Sequence, residues 1–529
     1  MKTELLFLSL PVAATMINLL VAYCILGRST AKAQPVIHDI YVNRDQRCLG
    51  GLGDCAHFDV NTFQEQEEPD DLLNNDEEQD PMLKEMPGKN GFKAYVRADI
   101  SSFYQEPPGS RVEVAPRFHG QAFKVVNMSP ERVSLYWIDD SDVPHFHGYI
   151  GPWAAQGSST FPGHKFAITK PKHFDDVICW CPIVKGTSVY YCNPFVENDP
   201  NDPAHLEYVG ESPRLLEDLA PLDRADYEAH LYNIEFAKLY KNFTGGSEWL
   251  TMWPRDPPRH KMWRADYFGQ EHHITSDETH FLAVPPKLSR MSIDQMRHPK
   301  DYSDYRASGP MNMTIKALSC APRAFEIRDF LSEFEADHML ETVQHMEMTR
   351  SSVGRGEQSS VRTSRTTWIP RNTDPILNAI YRRAADVLRI NEALFRKRMP
   401  GEVPDYELLE PINEDIQIVH YDKGQEYTAH HDFGYPQGEI NSPSRSINLC
   451  LYLNNVTKGG TTSFPRWRNG HTSESIDVVP EKTKAMIFYM INPDGNLDDL
   501  TQHAAMPVLE GEKWFANLWI HDPYFSRSS

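Results

Sequence analysis

From Asp415 to Asp522 the chain carries four β-prone runs, IQIVHY, SINLCLYL, AMIFYMI and WFANLWI, separated by Gly, Pro and Asn turns. Short runs rich in β-branched and aromatic residues and bounded by turn formers read as strands, and several in succession predict a sandwich or a jelly-roll barrel. Two helices are predicted ahead of them. Ser332-Glu-Phe-Glu335 is a capping box, after which Ala336, Met339, Leu340 and Val343 recur at helical spacing. Asp374-Pro375 supplies a cap and a first-turn proline, followed by Leu377, Ile380, Ala384 and Val387 on one face.

Within this region one short run carries chemistry. In Tyr427-Thr-Ala-His-His-Asp432, His430 and Asp432 point to the same side because strand side chains alternate, so they can share a metal. His431 faces the other way and reads as a packing or outer-shell residue. His503 precedes the strand beginning Trp514-Phe515, where a barrel can bring it opposite the first pair. Two imidazoles and one carboxylate leave positions open on a metal, which suits an Fe(II) that must take a bidentate co-substrate and dioxygen. By itself an His-x-Asp pair is a common hydrogen-bonding pattern at strand ends. Lys513 adds weight, because an ammonium turned into a barrel needs an anion, and a co-substrate carboxylate is a natural one. The bland reading is an exposed lysine paired with Glu510 or Glu512.

Five strings in order place the resemblance: Pro322-Arg-Ala-Phe325, Val361-Arg-Thr-Ser364, Val419-His-Tyr-x-x-Gly-Gln-x-Tyr427, Gly459-Gly-Thr-Thr-Ser-Phe-Pro465, and His503 through Lys513-Trp514 to Trp519. From about Leu318 to Asp522 the sequence resembles the catalytic domain of prolyl 4-hydroxylases, iron(II)- and 2-oxoglutarate-dependent dioxygenases, and residues 318–529 are read as that domain. That resemblance implies an α+β double-stranded β-helix, or jelly roll, with flanking helices. It implies His430, Asp432 and His503 as metal ligands, and Lys513 on the distal carboxylate of 2-oxoglutarate with Tyr421 and Thr462 beside it. It further implies Tyr427, Arg445, Trp519 and His521 at the peptide-proline site. The implied reaction converts 2-oxoglutarate to succinate and CO₂ and hydroxylates a proline ring carbon, with ascorbate keeping the iron reduced. Thr461 stands where the family usually has an acid, a departure that does not touch a ligand, and Ala504-Ala505 supply its usual small residues after the distal histidine.

The rest of the chain reads as further units of a multidomain protein. Leu5 to Leu26 is 22 residues without a charge, long enough to span a bilayer, and we read residues 1–33 as a type II signal anchor, the alternative being a signal peptide cut near Ala31-Lys-Ala33. The expected location is the endoplasmic reticulum or Golgi membrane, or the lumen or exterior after cleavage. Four N-x-Ser/Thr triplets, at Asn127, Asn242, Asn312 and Asn455, fit a glycoprotein of that route. In an oxidising lumen Cys48 and Cys55 can pair, and Cys192 can pair with Cys179 or Cys181.

Residues 34–111 read as a linker whose acidic run, nine acids and no base between Glu65 and Asp80, cannot order itself. Residues 112–195 read as a small all-β domain from runs such as Ala122–Asn127, Val133–Ile138 and Ser188–Cys192. The stretch 123–182 loosely resembles the β domain of the von Hippel–Lindau tumour suppressor, which implies a hydroxyproline pocket at Thr160, His164 and Phe166 and, with it, processive action along Pro-rich chains. Residues 196–317, rich in Pro, Trp and His, suggest no fold. His145 and His147, His272-His273 with Asp277 and His280, and Cys179 with Cys181 look metal-like but read as structural.

Lys+Arg against Asp+Glu is 53 against 74, and a formal charge of −21 repels polyanions, which argues against a nucleic-acid binder. The expected activity is peptidyl-proline 4-hydroxylation of secreted Pro-rich polypeptides, presented as extended polyproline II segments. The alternatives are an oxygenase acting on another side chain such as lysine, or a catalytically inert hydroxyproline-binding adaptor.

Overall fold

The computed structural model describes residues 116–195, 219–286, 302–351, 362–433 and 444–522, apart from short internal gaps, and two strands that precede them. The readings of Leu5–Leu26 and of the Cys48–Cys55 pair lie outside the described residues. No helix among the described residues is long and apolar enough to cross a membrane. The strands β1 (Leu83–Met86) and β2 (Ala94–Arg97) pair antiparallel, so part of the stretch expected to be linker is a hairpin.

Residues 121–192 form two facing sheets. One has the order β6-β3-β9, built from β3 (Gln121–Asn127), β6 (Ala155–Thr160) and β9 (Val189–Cys192). The other has the order β5-β4-β7-β8, from β4 (Val133–Ile138), β5 (Pro144–Ile150), β7 (Lys165–Lys170) and β8 (His173–Pro182). Phe123, Val125 and Tyr190 from one sheet meet Val133, Leu135, Phe166 and Ile168 from the other in a dry core. Cys179 bonds Cys192 across the sandwich, and Cys181 is a buried free thiol. Asn127 is 1% exposed and donates to the carbonyls of Glu131 and Gly151, so the folded chain does not present it as a glycosylation site.

The unassigned stretch holds a long helix, α1 (Pro221–Phe243), entered through a first-turn proline. Its Tyr227 and Ile234 pack with Val126, Met128 and Tyr191 of the sandwich. The chain that follows binds both units. Lys124, fully buried in β3, donates to the carbonyls of Trp249 and Thr251, while Leu250 N donates to Asn496 and Tyr240 donates to Asp494 at 2.8 Å.

The second unit is built on a nine-stranded antiparallel sheet ordered β10-β11-β12-β21-β17-β24-β15-β14-β13. Its strands are β10 (Glu271–Ser276), β11 (Met311–Cys320), β12 (Arg323–Ile327), β13 (Thr349–Arg350), β14 (Arg365–Ile369), β15 (Ile416–Tyr421), β17 (Ser444–Tyr452), β21 (Ala485–Tyr489) and β24 (Lys513–Asp522). Opposite lies a sheet ordered β16-β22-β19-β20, from β16 (Tyr427–His430), β19 (Thr462–Phe464), β20 (Ile476–Val478) and β22 (His503–Ala505); a ribbon of β18 (Lys458–Gly459) and β23 (Val508–Glu510) closes one end. From β15 onward the chain passes back and forth between the two large sheets, with β15, β17, β21 and β24 in one and β16, the β19–β20 pair and β22 in the other, in the order a jelly roll requires. The unit begins earlier than expected: residue 318 falls inside β11, and the sheet reaches back to Glu271.

Helices α2 (Glu333–Gln344) and α3 (Pro375–Leu388) cover the outer face of the large sheet, capped by Ser332 and Asp374 as their sequences predict. Glu335 completes the capping box and also takes a bidentate contact from Arg383 of α3 at 2.8 and 2.9 Å, both side chains being fully buried. A buried pair with both partners hydrogen-bonded locks the two helices in register, and removal of either partner alone would strand a charge.

Candidate metal centre

Strand parity decides which residues reach the barrel interior. In β24, Ala516, Leu518 and Ile520 pack under the helices, so Phe515 and Trp519 point inward, as do Lys513 and Asn517. In β17, Leu449 and Leu451 face the helices while Asn448, Cys450 and Tyr452 face inward. In β15, Ile416 and Ile418 face the helices and Tyr421 turns in; His420 turns out.

Inside, β16 and β22 pair so that His430 stands directly opposite His503, their rings 4.4 Å apart. Asp432, two residues on, completes the group: its carboxylate oxygens lie 3.4 Å from His430 Nε2 and 3.5 Å from His503 Nε2. These separations are too long for good hydrogen bonds. They are the spacing of ligand atoms around one ion at bonds of about 2.1 Å, roughly 3 Å apart at right angles. Each imidazole is oriented from behind. His430 Nδ1 meets the carbonyl of Thr428 at 2.8 Å and His503 Nδ1 meets that of Thr501 at 2.9 Å, so each Nδ1–H donates and each Nε2 keeps its lone pair for a metal.

The electrostatics agree. Burial pushes His503 down to about 4 despite the pull of Asp432, which keeps it neutral at pH 7. Burial alone would raise Asp432, but His503 and then His430 outweigh it and hold the carboxyl well below the usual range. Asp432 Oδ2 also accepts from Asn448 Nδ2 and Trp519 Nε1, both at 3.0 Å. Two imidazoles oriented from behind and a fixed carboxylate are the donor set of an Fe(II) site.

Lys513 is 1% exposed and its Nζ has no hydrogen-bond partner among the described residues. Its surroundings are aromatic, with Nζ at 4.9 Å from the Phe515 ring centre and 5.6 Å from that of Tyr421. Burial lowers its pKa to about 7. An unpaired buried ammonium is costly, and a carboxylate delivered into the barrel would satisfy it. Thr462 joins the same wall through Tyr452, whose hydroxyl donates to Thr462 Oγ1 at 2.9 Å.

At the mouth, Tyr427 stacks on His430 at 3.5 Å between ring centres. Arg445 lies 3.7 Å over the Trp519 ring and forks onto Glu414 at 2.5 and 2.8 Å, and His521 reaches the same carboxylate at 3.1 Å. All ten residues expected at the site therefore belong to the barrel interior or its mouth. Glu414, Asn448 and Asn517 were missed. Asn448 and Asn517 carry a visible signal, a polar side chain in an apolar strand at the parity of Asp432's neighbours and Lys513; Glu414 lies on a loop and carries none.

Among the described residues one other group, His420, Asp422 and Glu512, brings ligand atoms within 4.8 Å of one another. Here His420 Nδ1 accepts from Arg365 at 3.1 Å, so Nε2 carries the proton and gives it to Glu512 at 2.7 Å. The arginine also holds Asp422 at 3.0 Å, so this group already has its cation. The remaining metal-like histidines are tied down separately: His145 to Asp139, His272 to the carbonyl of Arg264, and His280 to that of Asp329. Of the three residues compared with the hydroxyproline pocket, Thr160 is buried and bonded to His164, and Phe166 is buried against the Phe123 ring. Only His164 keeps some exposure.

A jelly roll with two imidazoles on paired strands, a carboxylate beside them and, in its interior, an ammonium without a hydrogen-bond partner among the described residues defines a metal-dependent oxygenase. Residues 416–521 match the 2OG-Fe(II) oxygenase superfamily. "Probable prolyl 4-hydroxylase 4" of Arabidopsis thaliana is 34% identical over 233 residues, covering 40% of this chain and 72% of that protein. "Prolyl 4-hydroxylase 2" of the same plant is 32% identical over 232 residues with the same coverage. Among solved structures, the 2OG complex of viral collagen prolyl hydroxylase from Paramecium Bursaria Chlorella virus-1 aligns at 24% identity over 37% of this chain and 95% of its own, with a TM-score of 0.28. The chain belongs to the prolyl 4-hydroxylase family of 2-oxoglutarate-dependent dioxygenases.

Proposed function

We propose that this chain 4-hydroxylates peptidyl proline in Pro-rich secreted polypeptides, with Fe(II) held by His430, Asp432 and His503. The observation that carries the reading is the pairing of that triad with Lys513, a fully buried ammonium that has no hydrogen-bond partner among the described residues. Dioxygen would be the oxidant, activated at the Fe(II) when bound: one of its oxygen atoms would enter succinate as 2-oxoglutarate loses CO₂, and the other would be delivered to the substrate C–H bond.

The protein's own residues do the rest. Lys513 neutralises the distal carboxylate of 2-oxoglutarate, with Tyr421 and Thr462 beside it. Asn448 and Trp519 donate to Asp432 and fix its orientation. Tyr427, Arg445, Trp519 and His521 orient the peptide, and Glu414 holds Arg445 flat on the Trp519 ring, a surface suited to a proline ring in an extended chain. Closure of the mouth by the peptide excludes water and brings the ring C–H bond into line. Ascorbate serves to keep the iron ferrous. The uncharged segment Leu5–Leu26 anchors the chain in an endoplasmic reticulum or Golgi membrane with the catalytic barrel in the lumen.

The test is incubation of the full chain with Fe(II), 2-oxoglutarate and Pro-rich, Lys-rich or control peptides, read by mass spectrometry and succinate release. A gain of one oxygen on proline is expected. A gain on lysine, or peptide binding without turnover, would replace this reading.

A further inference from the structure

His431 lies between two of the three candidate ligands, and its side chain turns away from them toward the β sandwich, where it is 4% exposed. There its Nδ1 lies 2.7 Å from Ser159 Oγ, on β6. Its Nε2 lies 3.1 Å from both the carboxylate and the backbone carbonyl of Asp499. A carboxylate and a carbonyl only accept, so Nε2 carries the hydrogen and Nδ1 accepts from the Ser159 hydroxyl. Both ring nitrogens are thereby satisfied.

Asp499 is the second half of this junction. It opens the short turn Asp499–Thr501 that runs directly into His503 on β22. Its Oδ1 accepts from Arg466 at 2.5 Å and from the backbone N–H of Ala122, on β3, at 2.8 Å. Burial would raise its pKa, but Arg466 and then His431 outweigh that and keep it ionised, well below the usual range. The sandwich therefore touches both ligand-bearing segments, through Ser159 on the His430–Asp432 side and through Ala122 on the His503 side. The His431–Asp499 contact ties the two segments to each other.

We propose that His431 is a positioning residue and that the β sandwich, through Ser159, sets the affinity of the barrel for its metal ion. The inference rests on the metal reading above. Outer-shell groups that orient ligands typically govern about 10–100-fold in metal affinity. The sandwich is then a structural part of the metal centre as well as a neighbouring domain.

The experiment uses the full chain. Ferrous binding is followed anaerobically by the visible absorption that develops on the iron with 2-oxoglutarate, alongside melting temperature and the peptide KM. Ser159→Ala removes one hydroxyl from a half-buried position, and an unchanged melting temperature shows that the fold survives. The expected result is ferrous binding weakened about tenfold, turnover restored by excess Fe(II), peptide KM unchanged, and recovery in Ser159→Thr, which returns the hydroxyl. His431→Asn, which keeps a donor and an acceptor, should fall between parent and Ser159→Ala. Ser159→Ala binding iron within twofold of the parent, or shifting the peptide KM instead, would overturn the proposal. A parent that takes up no ferrous ion would overturn the metal reading and this inference with it.

Discussion

Two groups on neighbouring strands contain histidine and carboxylate within one ligand shell's reach, His430-Asp432-His503 inside the barrel and His420-Asp422-Glu512 outside it. They differ in what stands behind each nitrogen. In the inner group both Nδ1 atoms donate to carbonyls, which leaves both Nε2 atoms turned toward the Asp432 carboxylate. In the outer group Arg365 occupies Nδ1, Nε2 is protonated toward Glu512, and the arginine supplies the counter-charge. The tautomer set by the second partner, more than the residue types, separates a metal site from a surface ion pair.

The largest effect should come from breaking the inner group. Asp432→Ala or His503→Ala should abolish succinate release and peptide oxidation beyond the roughly 100-fold expected of any outer-shell change. Next is Lys513→Met. Loss of a buried charge partner should weaken 2-oxoglutarate binding by about 2–5 kcal/mol, measured by calorimetry. The same change should raise the melting temperature of the chain without co-substrate, because it removes an unpaired buried ammonium.

A smaller effect is set by pH. The folded Lys513 pKa of about 7 lies below its ordinary 10.5, so between those values the unfolded chain binds more protons and stability rises with pH through that window. An incoming carboxylate favours the charged form, so co-substrate binding should take up close to one proton at pH 8 and weaken about tenfold per unit above pH 7. Calorimetry in buffers of different ionisation enthalpy reads this uptake. Smallest of all, Glu512→Gln outside the barrel should leave turnover within twofold and stability within about 0.5 kcal/mol, as for other exposed ion pairs.

The centre itself was legible because its information is local. The two-residue spacing at the end of β16 places His430 with Asp432, and alternation along β24 brings Lys513 to the interior face with Trp519. The capped helices were legible for the same reason, since Ser332 and Asp374 act within one turn. What could not be read depends on distant partners. Glu414 matters only because Arg445, 31 residues later, folds onto it. His431 faces away from the metal as its parity requires, but its partner Ser159 lies 272 residues earlier in another sheet. The start of the barrel unit was placed late because β10 and β11, though alternating in burial, lie far apart in the sequence and β10 follows Pro- and Trp-rich chain.

Metal analysis after anaerobic loading with Fe(II) and 2-oxoglutarate tests the central claim most directly. One ion per chain is predicted for the parent and for Glu512→Gln, and none for Asp432→Ala. Full occupancy in Asp432→Ala, or loss of the ion in Glu512→Gln, would contradict the account.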